Sequence, residues 1–301
     1  MLAAAILLMA AAPNCAVCHK QQSEGQAATP MARTLQAPAP RAEPLRFTAS
    51  GYQYSIARDG VTYSVTTAAG EALTAKLQWA VGFGAIGQTY LFERDGAWYE
   101  SAVSYYPAIK ALDWTPGHAG RTRQNLTEAL GRKLENAEAQ RCFGCHSTTV
   151  APLQPGVTCA RCHTASGHPP GAMAKLSSQG PEDLNAVCSQ CHPSWAEVAE
   201  SGPRGVGNVR HQIYRLTGSK CYDSADRRIG CPACHDPHRH EARPAAASFD
   251  TRCAACHQAC RAGNQSGCVT CHMPKVEIPG LHSRFTDHRI RVARPGEKYP
   301  D

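Results

Sequence analysis

The pattern C-x-x-C-H occurs seven times in this chain: at Cys15–His19, Cys142–His146, Cys159–His163, Cys188–His192, Cys231–His235, Cys253–His257 and Cys268–His272. Two thiols at this spacing suit a zinc ribbon, a redox disulfide or a covalently attached haem. Zinc and disulfide chemistry need the cysteines, but not a histidine directly after the second one. Haem c attachment does need it. Two thioether bonds anchor the vinyl groups, and the adjoining imidazole becomes the proximal iron ligand. Histidine is 14 of 301 residues, so seven accidental placements have a probability of order 10⁻⁹, and the haem reading displaces the others.

The chain is therefore expected to carry seven haem c groups, each containing iron. The thioether anchors are Cys15 and Cys18, Cys142 and Cys145, Cys159 and Cys162, Cys188 and Cys191, Cys231 and Cys234, Cys253 and Cys256, and Cys268 and Cys271. The proximal ligands are His19, His146, His163, His192, His235, His257 and His272. Seven histidines remain: His118, His168, His211, His238, His240, His282 and His288. They are the pool for distal ligands, with Met31 as the methionine candidate twelve residues after His19. His238 and His240 stand two apart and are not both expected to reach an iron, so His238 is preferred.

Six motifs fall between Cys142 and His272, and the whole chain has only 6 Phe and 4 Trp. About 22 residues per haem cannot enclose an ordinary core, so the porphyrins must supply the apolar interior. With 21 Pro and 25 Gly, the expected architecture is a mainly α and irregular multihaem cytochrome c fold organised around stacked haems. A small antiparallel β segment is inserted after the first haem. The formal charge of +7 does not argue for nucleic acid, because seven haems bring propionate charge of about −14 against about +7 at ferric iron.

The elements around the motifs divide the chain. Residues 2–12 are an apolar run too short to span a bilayer, which takes about 20 residues, and residues 1–12 read as a signal peptide. The first motif and a Pro-rich linker occupy 13–46. A haem-poor antiparallel β segment of four or five strands is expected over 47–117, from alternation around two Asp-Gly turns, Asp59-Gly60 and Asp95-Gly96. Inside it, GFGAIG at Gly82–Gly87 fits G-x-G-x-x-G, but a strand pattern follows rather than a helix, so it reads as a glycine-rich turn and not a nucleotide site. The stretch 123–140 reads as one helix leading into a six-haem domain over 118–301.

Three stretches, PGVTCARCHTASGH, CYDSADRRIGCPACHDPH and CVTCHMPK…HSRFTDHRI, resemble the multihaem cytochromes c grouped with the tetrahaem acceptor of hydroxylamine oxidation. The wider superfamily includes hydroxylamine oxidoreductases and pentahaem nitrite reductases. The likeness spans most of 140–290, and CAVCHK…TPMA with the β segment resembles the amino-terminal part of related exported proteins. The resemblance implies that His168, His238, His282 and His288 are distal ligands to neighbouring haems, and that haems stack in close pairs. The two cysteines outside the motifs, Cys221 and Cys260, are expected to form a disulfide in an oxidising compartment.

The leading expectation is a periplasmic or extracellular electron carrier between redox proteins or a membrane quinol-linked donor, not an enzyme. A reductase or oxidase of a small nitrogen or sulfur compound at one open haem is the alternative. It is weakened by the absence of the C-x-x-C-K motif of the pentahaem nitrite reductases. A filament subunit is the third reading, since the first motif stands 127 residues ahead of the second and would suit a join between copies in a homo-oligomer.

Overall fold

A computed structural model describes residues 15–163, 180–193, 198, 205–223, 226, 228–239, 245–257, 266–294, 296, 297 and 299. The strands in chain order are β1 (Leu35–Gln36), β2 (Leu45–Ala49), β3 (Tyr52–Ile56), β4 (Thr62–Thr67) and β5 (Ala72–Lys76). They continue with β6 (Trp79–Val81), β7 (Thr89–Arg94), β8 (Ala97–Ser101), β9 (Val103–Tyr106), β10 (Ala111–Trp114) and β11 (Gly131–Lys133). Two more pairs follow: β12 (Ser147–Val150) with β13 (Leu153–Pro155), and β14 (Lys275–Glu277) with β15 (Arg284–Thr286).

These strands overturn the expectation of a mainly α and irregular haem fold with a small β insertion. The fold is mixed α/β, with about 26% strand in five antiparallel sheets and 29% helix. A five-stranded sheet has the order β1-β6-β7-β8-β11, and a four-stranded sheet has the order β2-β3-β4-β5. The short edges β1 and β11 have no alternation to betray them; they form because β6 and β8 offer unpaired backbone.

Alternation does set the sheet interiors. Tyr54 and Ile56 on β3 face the core, opposite Val65 and Tyr63 on β4, and all four are buried. The turn between them is held by Asp59, whose carboxylate accepts the Val61 and Thr62 amides at 2.9 Å each. Gly60 there has φ +77°, and a Cβ would fall on the Ala39 carbonyl. Asp95 (φ 50°) and Gly96 (φ 72°) close β7–β8 as a two-residue turn of the type that suits strand twist.

Gly82–Gly87 is a turn between β6 and β7, with Gly82 at φ +101°. No helix follows it.

The single helix expected over 123–140 is three elements: α2 (Leu126–Leu130), the edge strand β11, and α3 (Asn136–His146). Asn125 caps α2 by accepting the Glu128 amide, and a Glu135–Glu138 capping box restarts the chain as α3. Gly131 lets the backbone between them lie against β8, where a Cβ would strike the Glu100 carbonyl.

Both hydrophobic clusters belong to this β-rich half. The larger holds Tyr54, Tyr63, Phe92, Val103, Leu112 and Leu130, and the smaller holds Leu35, Leu91, Leu134, Ala139 and Phe143. Beyond residue 143, the buried apolar side chains among the described residues are Val157, Val198, Val209, Ile213 and Leu281. No helix among the described residues is long and apolar enough to cross a membrane.

Candidate functional site

Each motif is one helical turn. Five close with a hydrogen bond from the histidine amide back to the first cysteine carbonyl, at 2.8 Å for His19 and His163, 2.9 Å for His192 and His257, and 3.0 Å for His235. The other two lie inside helices, His146 at the end of α3 and His272 at the end of a turn over Cys268–His272. A turn of this kind puts residues i, i+3 and i+4 on one face. Both thiols and the imidazole therefore point the same way from every motif.

Several motifs hold one another by direct contacts. Arg161 of the third donates to the Gly144 carbonyl of the second at 3.1 Å. The Cys145 thiol of the second donates to the Gln190 carbonyl of the fourth at 3.7 Å. Asn185, on the helix Pro181–Ser189 that leads into the fourth motif, meets Cys231 of the fifth at both its amide, 3.3 Å, and its sulfur, 3.0 Å. Arg252 of the sixth donates to the Ala233 carbonyl of the fifth at 3.3 Å. Asp250, beginning the helix Asp250–Ala254, accepts the Gly267 and Cys268 amides of the seventh at 2.7 and 2.9 Å.

The first motif is not remote, as its sequence position suggested. Gln26, on the helix Lys20–Ala27, donates to the Val157 carbonyl at 2.5 Å, and Val157 donates to the Met31 carbonyl at 3.0 Å. The Cys15 side chain lies beside Cys159 of the third motif.

Histidines outside the motifs fall into two kinds. His238 and His163 of the third motif have ring centroids 6.0 Å apart with planes at 16°, and His288 and His235 of the fifth have centroids 6.2 Å apart with planes at 36°. With metal–nitrogen bonds of about 2.0 Å and about 1.1 Å from nitrogen to ring centre, two imidazoles on opposite sides of one iron have centroids about 6.3 Å apart. Both observed spacings fit that. The ring orientation fits as well. His288 donates from Nδ1 to the Thr286 carbonyl at 3.0 Å, and His238 turns Nδ1 towards Asp236 at 3.4 Å, leaving Nε2 as the donor nitrogen. Burial pushes the His288 pKa down to about 4, keeping its lone pair unprotonated.

Two motif histidines are oriented in the same way. His272 donates from Nδ1 to the Arg291 carbonyl at 2.9 Å, and His146 Nδ1 shares a 2.6 Å hydrogen bond with Thr34. Burial lowers the pKa of His146 and of His192.

In His118 and His282 it is Nε2 that is taken. His118, 3% exposed, bonds Glu100 at 3.0 Å, and His282 bonds Asp113 at 2.7 Å. These carboxylates, and the orienting groups Thr34, Thr286 and Arg291, have no signal in the local sequence. His211 precedes the helix Gln212–Thr217, and Met31 lies on the turn that meets Val157. Cys221 lies beside Cys253 and Cys256, and burial pushes its thiol pKa up. Its expected partner Cys260, with His168, His240 and the leader at 1–12, lies outside the described residues.

Among the described residues, no group of three or more His, Cys, Asp or Glu side chains is arranged to hold a metal ion by itself. A haem iron asks the protein only for axial donors, one or two per site, because the porphyrin supplies the rest. The donor set, the imidazole spacing and the scarcity of apolar interior among the described residues beyond 143 all fit that cofactor. No protein-family model, curated protein or solved structure matches the chain.

Proposed function

We propose that the chain is an exported c-type cytochrome with seven covalently attached haems, carrying electrons between redox partners in the periplasm or outside the cell. The resemblance to the tetrahaem cytochromes of hydroxylamine oxidation supports the same reading. The observation that carries it is the pairing of a motif imidazole with one from outside the motifs, at 6.0 and 6.2 Å, built on seven turns of one design. Haem c, when bound, supplies one-electron chemistry at its iron.

The chain's own residues attach, orient and space. The cysteine pairs form the thioether anchors, and the motif histidines take the proximal positions. His238 and His288 take the distal positions facing His163 and His235. Thr34, Thr286 and Arg291 fix which ring nitrogen points at the iron. Contacts between motifs keep neighbouring sites close enough for electrons to pass. A redox protein or a membrane quinol-linked donor is the expected partner.

The test is the mass of the denatured holoprotein, with absorption spectra of the reduced form with and without carbon monoxide, and low-temperature EPR of the oxidised form. The reading expects a mass increment of seven haems, low-spin iron throughout and no carbon monoxide shift. A chain without covalent haem sinks it. One high-spin haem in seven that binds carbon monoxide moves the reading to a reductase or oxidase of a small nitrogen or sulfur compound. Long heterogeneous particles under native conditions move it to a filament subunit.

A further inference from the structure

The most deeply buried ion pair among the described residues lies next to the candidate ligands without touching an iron position. Asp287 is 0% exposed and Arg215 is 2% exposed. Arg215, on Gln212–Thr217, grips the carboxylate with two bonds, Nε to Oδ1 at 2.9 Å and Nη2 to Oδ2 at 3.0 Å. Arg291 adds a third at 2.8 Å, and the Arg289 amide a fourth at 3.0 Å. The Asp287 amide in turn donates to the Pro274 carbonyl at 3.0 Å, two residues beyond His272.

So small a turn, held so firmly, carries two separate duties. His288 follows Asp287 directly, faces His235, and has its carbonyl tied to Ser219 Oγ at 3.3 Å. Three residues on, the Arg291 carbonyl accepts Nδ1 of His272, and the Arg291 amide donates to the His272 carbonyl at 3.1 Å. The imidazole completing the fifth site and the acceptor orienting the seventh therefore sit on one turn. Ring orientation and the hydrogen bond at the second nitrogen are what the protein controls at an axial histidine.

We infer that Asp287, clamped by Arg215 and Arg291, is a positioning residue for two axial imidazoles at once, so that the fifth and seventh sites respond to it as a pair. This rests on the proposed haem reading. The haem count in the experiment below separates failure of that reading from failure of this one. A buried carboxylate between two guanidinium groups is also costly to break, because the cations are left uncompensated, which is why a milder variant accompanies the direct one.

The experiment compares Asp287→Asn, Arg291→Gln and Arg215→Lys holoproteins with the parent. It records haem count by mass, low-temperature EPR and a potentiometric titration. The inference expects seven haems in each variant. Two of the seven low-spin signals, with their potentials, should move in Asp287→Asn. In Arg215→Lys, which keeps the charge but loses the two-pronged grip, the same two should move less. If Asp287→Asn fails to assemble, Arg291→Gln is decisive, because it removes one tether while the Arg215 pair remains. It must shift the seventh-site signal together with the fifth. Unchanged signals alongside a lowered melting temperature would mean a structural pair only. Movement of a single signal, or of more than two, would overturn the paired assignment.

Discussion

Replacing His238 by alanine should open one haem position and no other. In the structure the His238 ring lies 6.0 Å from the ring of His163, centroid to centroid, with planes 16° apart. That spacing leaves room for one iron between two nitrogens, and Nδ1 of His238 faces Asp236, so the nitrogen that remains is Nε2. On the proposed haem reading, an iron held by His163 would keep one protein ligand without His238 and become accessible to carbon monoxide. One site in seven is about 14% of the total haem, and the carbon monoxide difference spectrum should reach that fraction and stop there. The assay is a titration of the reduced variant, normalised to covalent haem. A triple variant that also lacks Cys159 and Cys162 gives the site its identity, because it should carry six haems and bind no carbon monoxide. His118→Ala and His282→Ala are the controls. Their Nε2 atoms are bonded to Glu100 and Asp113, so both should bind none. The reasoning is refuted if His238→Ala binds no carbon monoxide, or if binding survives removal of the third attachment site.

Three further outcomes follow from the packing. Gly131→Ala should lower stability by about 1–3 kcal/mol, the usual range for forcing atoms into a packed site, because the new Cβ meets the Glu100 carbonyl; a melting curve measures it. Tyr54→Phe should be neutral or stabilising by up to about 1 kcal/mol, since the buried hydroxyl has no hydrogen-bond partner. Burial pushes Tyr54 and Tyr106 up to about 12, so their protonated forms support the fold fully below about pH 10, the unfolded tyrosine value. That support is lost as pH rises through about 12, and Tyr54→Phe should show a shallower alkaline decline in melting temperature. Chain produced without haem should lose order beyond the first 150 or so residues, because nineteen of the twenty-four buried apolar residues among those described lie between Leu35 and Phe143. Limited proteolysis of the full haem-free chain should leave a β-rich fragment over that stretch, and uniform digestion would argue against it.

What could be read from the sequence was whatever is local in it. The thiols and imidazole of a motif share a face because of helical spacing alone, and the Asp-Gly hairpins form because those residues supply the backbone twist. Distal ligands are another matter. His118, His238, His282 and His288 look alike in one dimension, and what separates them is a carboxylate 18 residues away for His118 and 169 residues away for His282. The helix expected over 123–140 failed for a comparable reason. Its residues favour helix well enough, but Gly131 permits a backbone approach to β8 that only tertiary structure rewards. The β content was underestimated even within 47–117, where nine strands, β2–β10, stand against the four or five expected; strands of two or three residues were missed elsewhere, since such strands are made by their partners and not by their own pattern.

The placement of the first motif shows what the β-rich half contributes. Thr34 reaches His146 across 112 residues and Gln26 reaches Val157 across 131, so the chain must leave the first motif and return to the second and third. The sheet order explains how. β1 enters at one edge of the five-stranded sheet and β11 departs from the other, about 19 Å away at ordinary strand spacing. Leu35 beside β1's entry and Phe143 inside the second motif pack in the same apolar cluster, and Trp98 of β8 lies edge-on to Phe143 at 5.0 Å. The sheet thus seals a long loop and delivers both of its ends to one side. Had residues 47–117 been only a tether, the first motif would have stood apart, as its sequence position suggested. With the sheet in place, the first motif lies against the third.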